Sequence, residues 1–452
     1  MEPIQVPFQQ AGPQRPALKC QKGEKKTFCT SSGVFIADAD DVLGRGTYGV
    51  VYRVRHQQNP SIKKAVKTFC PETMDEAEGI PSTTLREINA LKTIQHPNVM
   101  TAEEVVIPME HALTDMFVLM ELCRGTLKDK IIELIKVHLH GDPSWRRPAP
   151  GTKLPEAYVK EAKIIAWQLL NALAVVHSRG VMHRDLKPVN IMWGFDDLLK
   201  LGDFGLARFV RGNQNADNSV LQQTGEVQTM WYRAPEVLLG DEKYGLLVDD
   251  WSIGCVIAEL FRFRRSSAGR VEPDPLFHGR SDVETLMIIF ETFGTPNPEA
   301  NFSQRYLAGL PYWSNSFPNW VQGNLKERIP LLDPLGFEVL EQLLRISPSE
   351  RRAARFLLDH PWFNDVRSEL QQFVPWYHGF EKDYTRMMAV DRLPLPRTIK
   401  DITAEKKLKQ EALSAQNSKL FTQRTTTSST TSLASTNAST TTMAKTTKEP
   451  QT

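Results

Sequence analysis

The hydrophobic pattern changes its period once along this 452-residue chain, and that change constrains the fold more than any other feature. Before Cys123, β-branched and apolar residues alternate in short runs between turn residues, which predicts strands around a single helix, Pro81–Thr93. After Cys123, apolar residues recur at helical spacing, as in Ala157–Val176 and Leu246–Phe261. The pattern predicts a bilobal α+β fold, with a β-rich N-terminal lobe and a mainly helical C-terminal lobe.

Composition marks where folded structure is expected to begin and end. The first residues are rich in Pro, Gln and Lys and the last are rich in Ser and Thr, and neither part has enough periodic apolar residues to bury a core. Prolines also interrupt the helical pattern of the second lobe. In chain order, the predicted segments are a disordered extension (1–33), an N-lobe (34–122), a C-lobe (123–363) with an inserted loop at about 138–154, a C-terminal extension (364–404) and a disordered tail (405–452).

Charge and cysteine content limit the classes of partner. The chain has 55 basic and 53 acidic residues, a formal net charge of +2, which provides no general attraction to nucleic acid or to an anionic membrane. Its five cysteines lack metal-ligand spacing and fit a reducing compartment. No secretory signal is recognisable, and the longest apolar stretch is too short to span a bilayer. The sequence predicts a soluble intracellular protein without a direct nucleic-acid or membrane partner.

Two features of the predicted N-lobe could bind a phosphorylated ligand, and a third, an acidic residue, could hold one of them in place. The run Gly44-Arg45-Gly46-Thr47-Tyr48-Gly49-Val50-Val51 places glycines where a backbone can fold closely over phosphates. Lys67 follows in a predicted strand, and Glu87 lies among apolar residues of the predicted helix 20 residues later. A dinucleotide-binding loop is disfavoured, because this loop lies among strands and does not open a helix.

The C-lobe contains acidic, basic and amide groups at short spacing. In His183-Arg184-Asp185-Leu186-Lys187-Pro188-Val189-Asn190, the carboxylate of Asp185 can accept the proton of a substrate hydroxyl, and Asn190 can hold a metal ion. Lys187 can steady a transferred phosphate, and Pro188 disfavours a helix here. The run Asp203-Phe204-Gly205 follows 13 residues after Asn190 and supplies a further carboxylate for a metal.

Together with Ala234-Pro235-Glu236, these motifs have the order and spacing of a eukaryotic protein kinase. Over Val34 to Phe363 the chain resembles the CMGC group and, in particular, the cyclin-dependent kinase family. The resemblance implies a kinase domain that transfers the γ-phosphate of Mg-ATP to Ser or Thr, with Pro expected next, in protein substrates. It also implies a role in cell-cycle or transcription control, in the nucleus, the cytoplasm or both.

The resemblance assigns roles residue by residue. The catalytic positions are Asp185, Lys187, Lys67, Glu87 and Thr229. The positions that bind ATP are Leu43, Gly44, Gly46, Gly49, Val51, Ala65, Lys67, the gatekeeper Met120, the hinge residues Glu121 and Cys123, and Asn190 and Asp203, which are also the ligands of Mg²⁺. Thr126 departs from the family, because it stands where an aspartate commonly meets the ribose.

Regulatory and structural positions are implied in the same way. The segment Gly79–Ile88 would contact a cyclin. Thr47 and Tyr48 match inhibitory phosphorylation sites, Thr224 matches the activating one, and Arg86, Arg184 and Arg208 match the arginines that hold its phosphate. Arg233 would shape a pocket for the substrate proline, Asp249 would anchor the catalytic loop, and Glu236 would pair with Arg351.

Two other functions compete with this interpretation. A pseudokinase scaffold usually lacks the equivalent of Lys67, Asp185 or Asp203, and all three are present here. A non-cyclin CMGC kinase of the mitogen-activated type needs Thr-x-Tyr in its activation segment, whereas this chain has Thr224-Gly225-Glu226 and no tyrosine between Phe204 and Met230. The sequence therefore favours a catalytically competent kinase activated by a cyclin.

Overall fold

A computed structural model describes residues 25–38, 40–46, 49–69, 80–107, 116–139, 152–210, 230–266, 270–299 and 302–371. Within these ranges a β-sheet lobe precedes a mainly helical lobe, which confirms the α+β bilobal fold. Thr47, Tyr48, Thr224, Thr229, most of the inserted loop at 138–154 and the predicted tail lie outside the described residues.

The N-lobe is an antiparallel sheet with one helix. Its strands are β1 (Lys26–Thr30), β2 (Gly33–Ala37), β3 (Val42–Gly46), β4 (Gly49–His56), β5 (Lys63–Phe69), β6 (Ala102–Val106) and β7 (Phe117–Glu121). They are ordered β1-β2-β4-β5-β7-β6, and β3 pairs with the first half of β4. The predicted period-two alternation of burial is followed only in part, because Ala65 and Val66 are both buried on β5 and Phe117–Met120 are all buried on β7.

The predicted disordered extension 1–33 reaches too far, because β1 lies inside it. Phe28 is buried, and its ring packs edge-on against Phe117 with centroids 5.2 Å apart. Lys26 Nζ donates a hydrogen bond to the Tyr52 hydroxyl at 2.9 Å. Gly33 turns the chain into β2 with a φ of 128°, which disfavours a side chain. Two buried aromatic rings, Phe28 and Phe35, and a strand ladder stabilise this hairpin. Phe28 is the one aromatic residue of β1, and so little apolar content gives no periodic signal there.

The helix of the N-lobe, α1 (Ser82–Thr93), confirms the predicted span. Its buried residues, including Glu87, Ala90 and Leu91, share one face, and the helix packs against residues 204–206 of the C-lobe. Leu85, on another face, is 51% exposed. The helix therefore positions a buried carboxylate at the boundary of the two lobes and presents an apolar residue outside.

The C-lobe is built mainly from helices around a large apolar core. Its elements are β8 (Gly125–Thr126), α2 (Leu127–Leu139), α3 (Glu156–Ser178), β9 (Val181–Met182), β10 (Ile191–Trp193), β11 (Leu199–Leu201), β12 (Arg208–Phe209), α4 (Pro235–Leu238), α5 (Leu247–Glu259), β13 (Phe263–Arg265), β14 (Val271–Pro273), α6 (Asp282–Phe293), α7 (Phe302–Ala308), α8 (Leu325–Arg328), α9 (Pro334–Leu343) and α10 (Arg367–Leu370). Helix α5 is buried along nearly its whole length, and α3 along its second half. In the ranges given above, no helix is long and apolar enough to cross a membrane.

The predicted ion pair between Glu236 and Arg351 forms beneath α4. Arg351 Nη1 and Nη2 donate to the two carboxylate oxygens of Glu236 at 2.7 and 3.0 Å, and both side chains are at most 1% exposed. Arg351 also donates to the carbonyl oxygens of Leu247 and Arg345. All of these hydrogen bonds are shielded from solvent, and through them the Arg351 guanidinium connects the segments around Glu236, Leu247 and Arg345.

Candidate active site

Lys67 and Glu87 are 20 residues apart in the sequence, and their side chains form the predicted contact. Lys67 lies on β5 opposite Val51 on β4, and its Nζ donates to Glu87 Oε1 on α1 at 2.5 Å. The same Nζ is 3.5 Å from Asp203 Oδ1 in the C-lobe. Burial acts to lower the pKa of Lys67, but the two carboxylates raise it above its ordinary value. The ammonium is therefore a fixed positive charge between the lobes.

The glycine-rich loop has the open surface that a phosphate chain requires. Gly44 and Gly46 lie on β3, and a Cβ added at either would meet no atom within 4 Å. Gly49, opposite Gly46, differs, because a Cβ there would lie 2.0 Å from the carbonyl oxygen of Thr68. Only glycine allows β4 to approach β5 so closely at this residue.

The predicted adenine positions lie side by side on the strands that face the loop. Ala65 on β5 is directly opposite Met120 on β7, and both are buried. Glu121 ends β7, Cys123 follows it, and Leu43 is half exposed on β3. Burial and the neighbouring Glu121 carboxylate raise the pKa of the Cys123 thiol to about 12, so it is a neutral apolar group.

Thr126 stands where the resemblance implies an aspartate, and a carboxylate lies nearby. Asp129 Oδ2 accepts hydrogen bonds from the backbone N–H and the hydroxyl of Thr126, at 2.8 and 2.7 Å. The aspartate thus caps the start of α2. A negative charge is therefore present beside position 126, and Asp129 in the first turn of α2 provides it.

The predicted catalytic loop forms a hydrogen-bonded cluster. Lys187 Nζ donates to the two carboxylate oxygens of Asp185 at 3.0 and 2.8 Å. Asn190 Nδ2 donates to Asp185 Oδ2 and to its backbone oxygen, both at 2.8 Å. These contacts fix the Asp185 carboxylate, and its remaining lone pairs can accept a substrate hydroxyl.

The predicted anchor, Asp249 on α5, holds this loop from below. Its carboxylate accepts the backbone N–H groups of His183 and Arg184 at 2.7 and 2.8 Å, and Arg184 has a φ of 71°. His177 Nε2 lies 3.0 Å from the same carboxylate. Burial would raise the pKa of Asp249, but His177 and the backbone donors hold it below its ordinary value. Sequence reasoning missed His177, which has no motif of its own.

Asp203 also has left-handed backbone conformation, with a φ of 58°. His183 Nε2 lies 2.8 Å from the carbonyl oxygen of Gly202, the preceding residue. Burial acts to raise the pKa of the Asp203 carboxyl, but the charges of Lys67, His183 and Lys187 hold it below its usual value. Asp203 is therefore ionised and faces a cluster of basic side chains.

These residues fit a metal ion that is shared with phosphates. Asp203 offers a carboxylate and Asn190 an amide oxygen, which are hard oxygen ligands. Within the part of the chain that the structure describes, no group of three or more His, Cys, Asp or Glu side chains could hold a metal by itself. Mg²⁺ is commonly held by one or two carboxylates and by substrate phosphates, so the limited donor set suits it.

Arg184 has a different role from its neighbours in the loop. Its guanidinium is buried, and none of its three nitrogens has a hydrogen-bond partner in the described residues. Burial, and then the charges of Arg208 and Arg86, lower the pKa of Arg184. The three predicted arginines therefore come together, and their combined charge can bind an anion. Thr224, the predicted source of that anion, lies outside the described residues.

Comparison with known proteins gives the family. Residues 38–363 match the protein kinase domain family. The chain is 38% identical over 327 residues, 72% of this chain and 91% of the relative, to "Cell division control protein 2 homolog 3" of Trypanosoma brucei brucei. The match to the protein kinase domain family includes every described residue of the site above. The chain belongs to the protein kinase family, as a eukaryotic serine/threonine kinase of the CMGC group that is similar to the cyclin-dependent kinases.

Proposed function

We propose that this kinase transfers the γ-phosphate of Mg-ATP to Ser or Thr followed by Pro, and that a cyclin activates it. The observation that carries this proposal is the arrangement of Lys67, Glu87 and Asp203 at the boundary of the lobes, with Asp185 fixed nearby. The proposed domain spans 34–363. Its proposed role is in cell-cycle or transcription control, in the nucleus, the cytoplasm or both.

Each polar side chain has a task in the proposed transfer. Asp185 would orient the substrate hydroxyl and take its proton as that oxygen bonds to the γ-phosphorus of ATP, while the bond to the β–γ bridging oxygen breaks and ADP leaves. Lys187, bonded to Asp185 at 2.8 Å, brings positive charge to the position of the moving phosphoryl group. Lys67 would bind the α and β phosphates, and Asn190 and Asp203 would hold Mg²⁺. Mg-ATP, when bound, supplies the phosphoryl group and a balancing cation.

The pair between Lys67 and Glu87 makes α1 a candidate switch. Glu87 contributes only while the helix lies against the C-lobe, as it does here. Rotation or displacement of α1 would remove the carboxylate from Lys67 and leave both charges without their partner. A protein that binds the outer face of α1 could therefore stabilise the active arrangement.

A phosphate on Thr224 would supply the acceptors that the described residues do not offer to Arg184. A phosphate carries nearly two negative charges near neutral pH and three acceptor oxygens, which suits a guanidinium with unpaired donors. Arg208 and Arg86 add charge at the same place. We propose that this modification orders the activation segment beside the catalytic loop.

The proposed preference for proline is based on the segment after the activation loop. Trp231 Nε1 donates to the carbonyl oxygen of Gly279 at 2.7 Å, and Arg233 Nη1 lies 3.3 Å from Asp282 Oδ1 on α6. These contacts fix the backbone around Arg233, where a substrate residue that follows the target hydroxyl would lie. We propose that this fixed backbone around Arg233 favours a substrate residue whose own φ is fixed, such as proline.

The test is a phosphorylation assay with the purified chain and a panel of cyclins. We expect at least one cyclin to produce transfer to Ser-Pro or Thr-Pro peptides, with phosphate on Thr224 in the active fraction. An Asp203→Asn variant should be inactive, because its amide cannot bind Mg²⁺ as a carboxylate does. If the wild-type chain, like the Asp203→Asn variant, transfers no phosphate with any cyclin, the proposal is wrong. Nucleotide binding without turnover would favour a pseudokinase scaffold.

The cyclin-binding surface gives a separate prediction. Ile80 packs against the core, so Leu85 is the apolar side chain that the described part of 79–88 exposes most. A Leu85→Glu variant should lose cyclin affinity by about tenfold or more, because a charge would replace a buried anchor. Ile62→Glu is the matched control, since Ile62 is 43% exposed between β4 and β5. Equal cyclin affinity of both variants, measured by calorimetry, would contradict the proposed surface.

A further inference from the structure

Lys200 on β11 has a buried ammonium that the catalytic motifs do not include. Its side chain is 8% exposed, and Nζ donates to the carbonyl oxygen of Pro97 at 3.0 Å. The same Nζ is 3.1 Å from Glu121 Oε1 and 3.6 Å from Asp196 Oδ2. The hydrogen bond to Pro97 and the opposite charges of the two carboxylates compensate the buried ammonium, which is the condition for a stable buried charge.

These three oxygens belong to separate parts of the molecule. Pro97 follows the end of α1, the helix that carries Glu87. Glu121 ends β7 and begins the hinge between the lobes, and Asp196 lies in the turn between β10 and β11. One ammonium therefore connects the segment after the switch helix, the hinge and the C-lobe.

The backbone around Lys200 is shaped for this arrangement. A Cβ added at Gly194 would lie 2.2 Å from Asp196 Oδ1 and 3.3 Å from Cε of Lys200. A side chain at 194 would therefore displace either the lysine or one of its acceptors. This packing constraint is independent of the charges and points to the same contact.

The geometry assigns Lys200 as a positioning residue of the nucleotide site: by holding the Glu121 carboxylate, it fixes the hinge backbone that contacts the adenine. This inference rests on the proposed function, in which ATP binds at the hinge. Without the ammonium, the carboxylates of Glu121 and Asp196 would repel each other, and the hinge would lose one of its fixed points. Asp185 and Lys187 do not contact this cluster, so the chemical step should be preserved.

The test is Lys200→Met in the full chain with its activating cyclin. We expect the Kd for ADP with Mg²⁺ and the KM for ATP each to rise about three- to tenfold, because a charged hydrogen-bond contact is lost. The kcat and the KM for the peptide should stay within about twofold, because groups at the transferred phosphate are unchanged. Lys200→Arg keeps the charge and should recover much of the affinity.

Two further variants make the outcome specific. Lys163→Met is the matched control, because Lys163 on α3 is also a nearly buried lysine, its Nζ donates to Asp365 Oδ2 at 2.8 Å away from the hinge, and the ADP affinity of this variant should not change. Glu121→Ala should weaken ADP binding as Lys200→Met does, and the double variant should be no more than about twofold weaker than either. Glu121 is 38% exposed, so this variant serves as the test if Lys200→Met fails to fold.

An unchanged Kd for ADP in a folded Lys200→Met or Glu121→Ala variant would overturn the inference. Additive losses in the double variant, or a loss of kcat with unchanged KM for ATP, would also overturn it. ADP binding needs no turnover, so this result is separable from the proposed function. If the wild-type chain binds ADP but transfers no phosphate, the proposed kinase activity is contradicted. The ADP affinities of the wild type and of the Lys200 variants can still be compared in that case.

Discussion

An Asp185→Asn variant should lose about 10²- to 10⁴-fold in kcat, the usual contribution of a positioned general base. The amide keeps the shape of the side chain but cannot take a proton. Its oxygen can still accept one of the bonds that Lys187 and Asn190 now donate to the carboxylate. The KM for ATP should therefore change by less than about threefold. Steady-state kinetics with the activated protein and a Ser-Pro peptide measure both quantities.

The matched control is Asp359→Asn, which makes the same chemical change in a carboxylate that is 74% exposed and paired with Arg367. Its kcat should equal that of the wild type. A loss of less than about tenfold in Asp185→Asn would mean that proton removal by this group contributes little to the rate. A large fall in melting temperature would indicate misfolding, which a thermal melt of each variant detects.

Arg351→Met should lower the free energy of unfolding by about 3–5 kcal/mol, because it leaves the buried Glu236 carboxylate without its charge partner. Four hydrogen bonds from Arg351 are lost together, two to Glu236 and two to the carbonyl oxygens of Leu247 and Arg345. Urea unfolding followed by tryptophan fluorescence measures the change.

Two comparisons distinguish pairing from simple loss of a side chain. Arg367→Met removes an exposed pair with Asp359 and should change the free energy of unfolding by about 1 kcal/mol or less. The double variant Glu236→Leu/Arg351→Met should be more stable than Arg351→Met alone, because no unpaired charge remains. A change below about 1 kcal/mol in Arg351→Met would show that Glu236 is compensated in another way.

The groups that the sequence predicted best are those whose chemistry depends on residue type and short spacing. Asp185, Lys187 and Asn190 lie within six residues, so local backbone geometry brings them together. The contact between Lys67 and Glu87 depends on tertiary structure, but the resemblance to a family identified both residues. The α+β division followed from the change in periodicity at Cys123.

The residues that sequence reasoning missed act through long-range contacts without a motif. Phe28 is a single aromatic in a polar run, and β1 is revealed only by tertiary contacts, its ladder with β2 and the packing of Phe28 against Phe117. Lys200 looks like a surface lysine until Pro97 and Glu121 are found around it. No strand is predicted around Lys200, and no local pattern indicates which distant oxygens a charge will meet.

The two N–H bonds to Asp249 have a consequence for hydrogen exchange. The amides of His183 and Arg184 donate to a carboxylate on α5, a helix at the centre of the C-lobe core. Their exchange with solvent requires that this contact open, which links them to the most protected part of the molecule. The catalytic loop, although irregular in conformation, thus shares the cooperativity of the core, and gradual heating should not loosen it before the lobe unfolds.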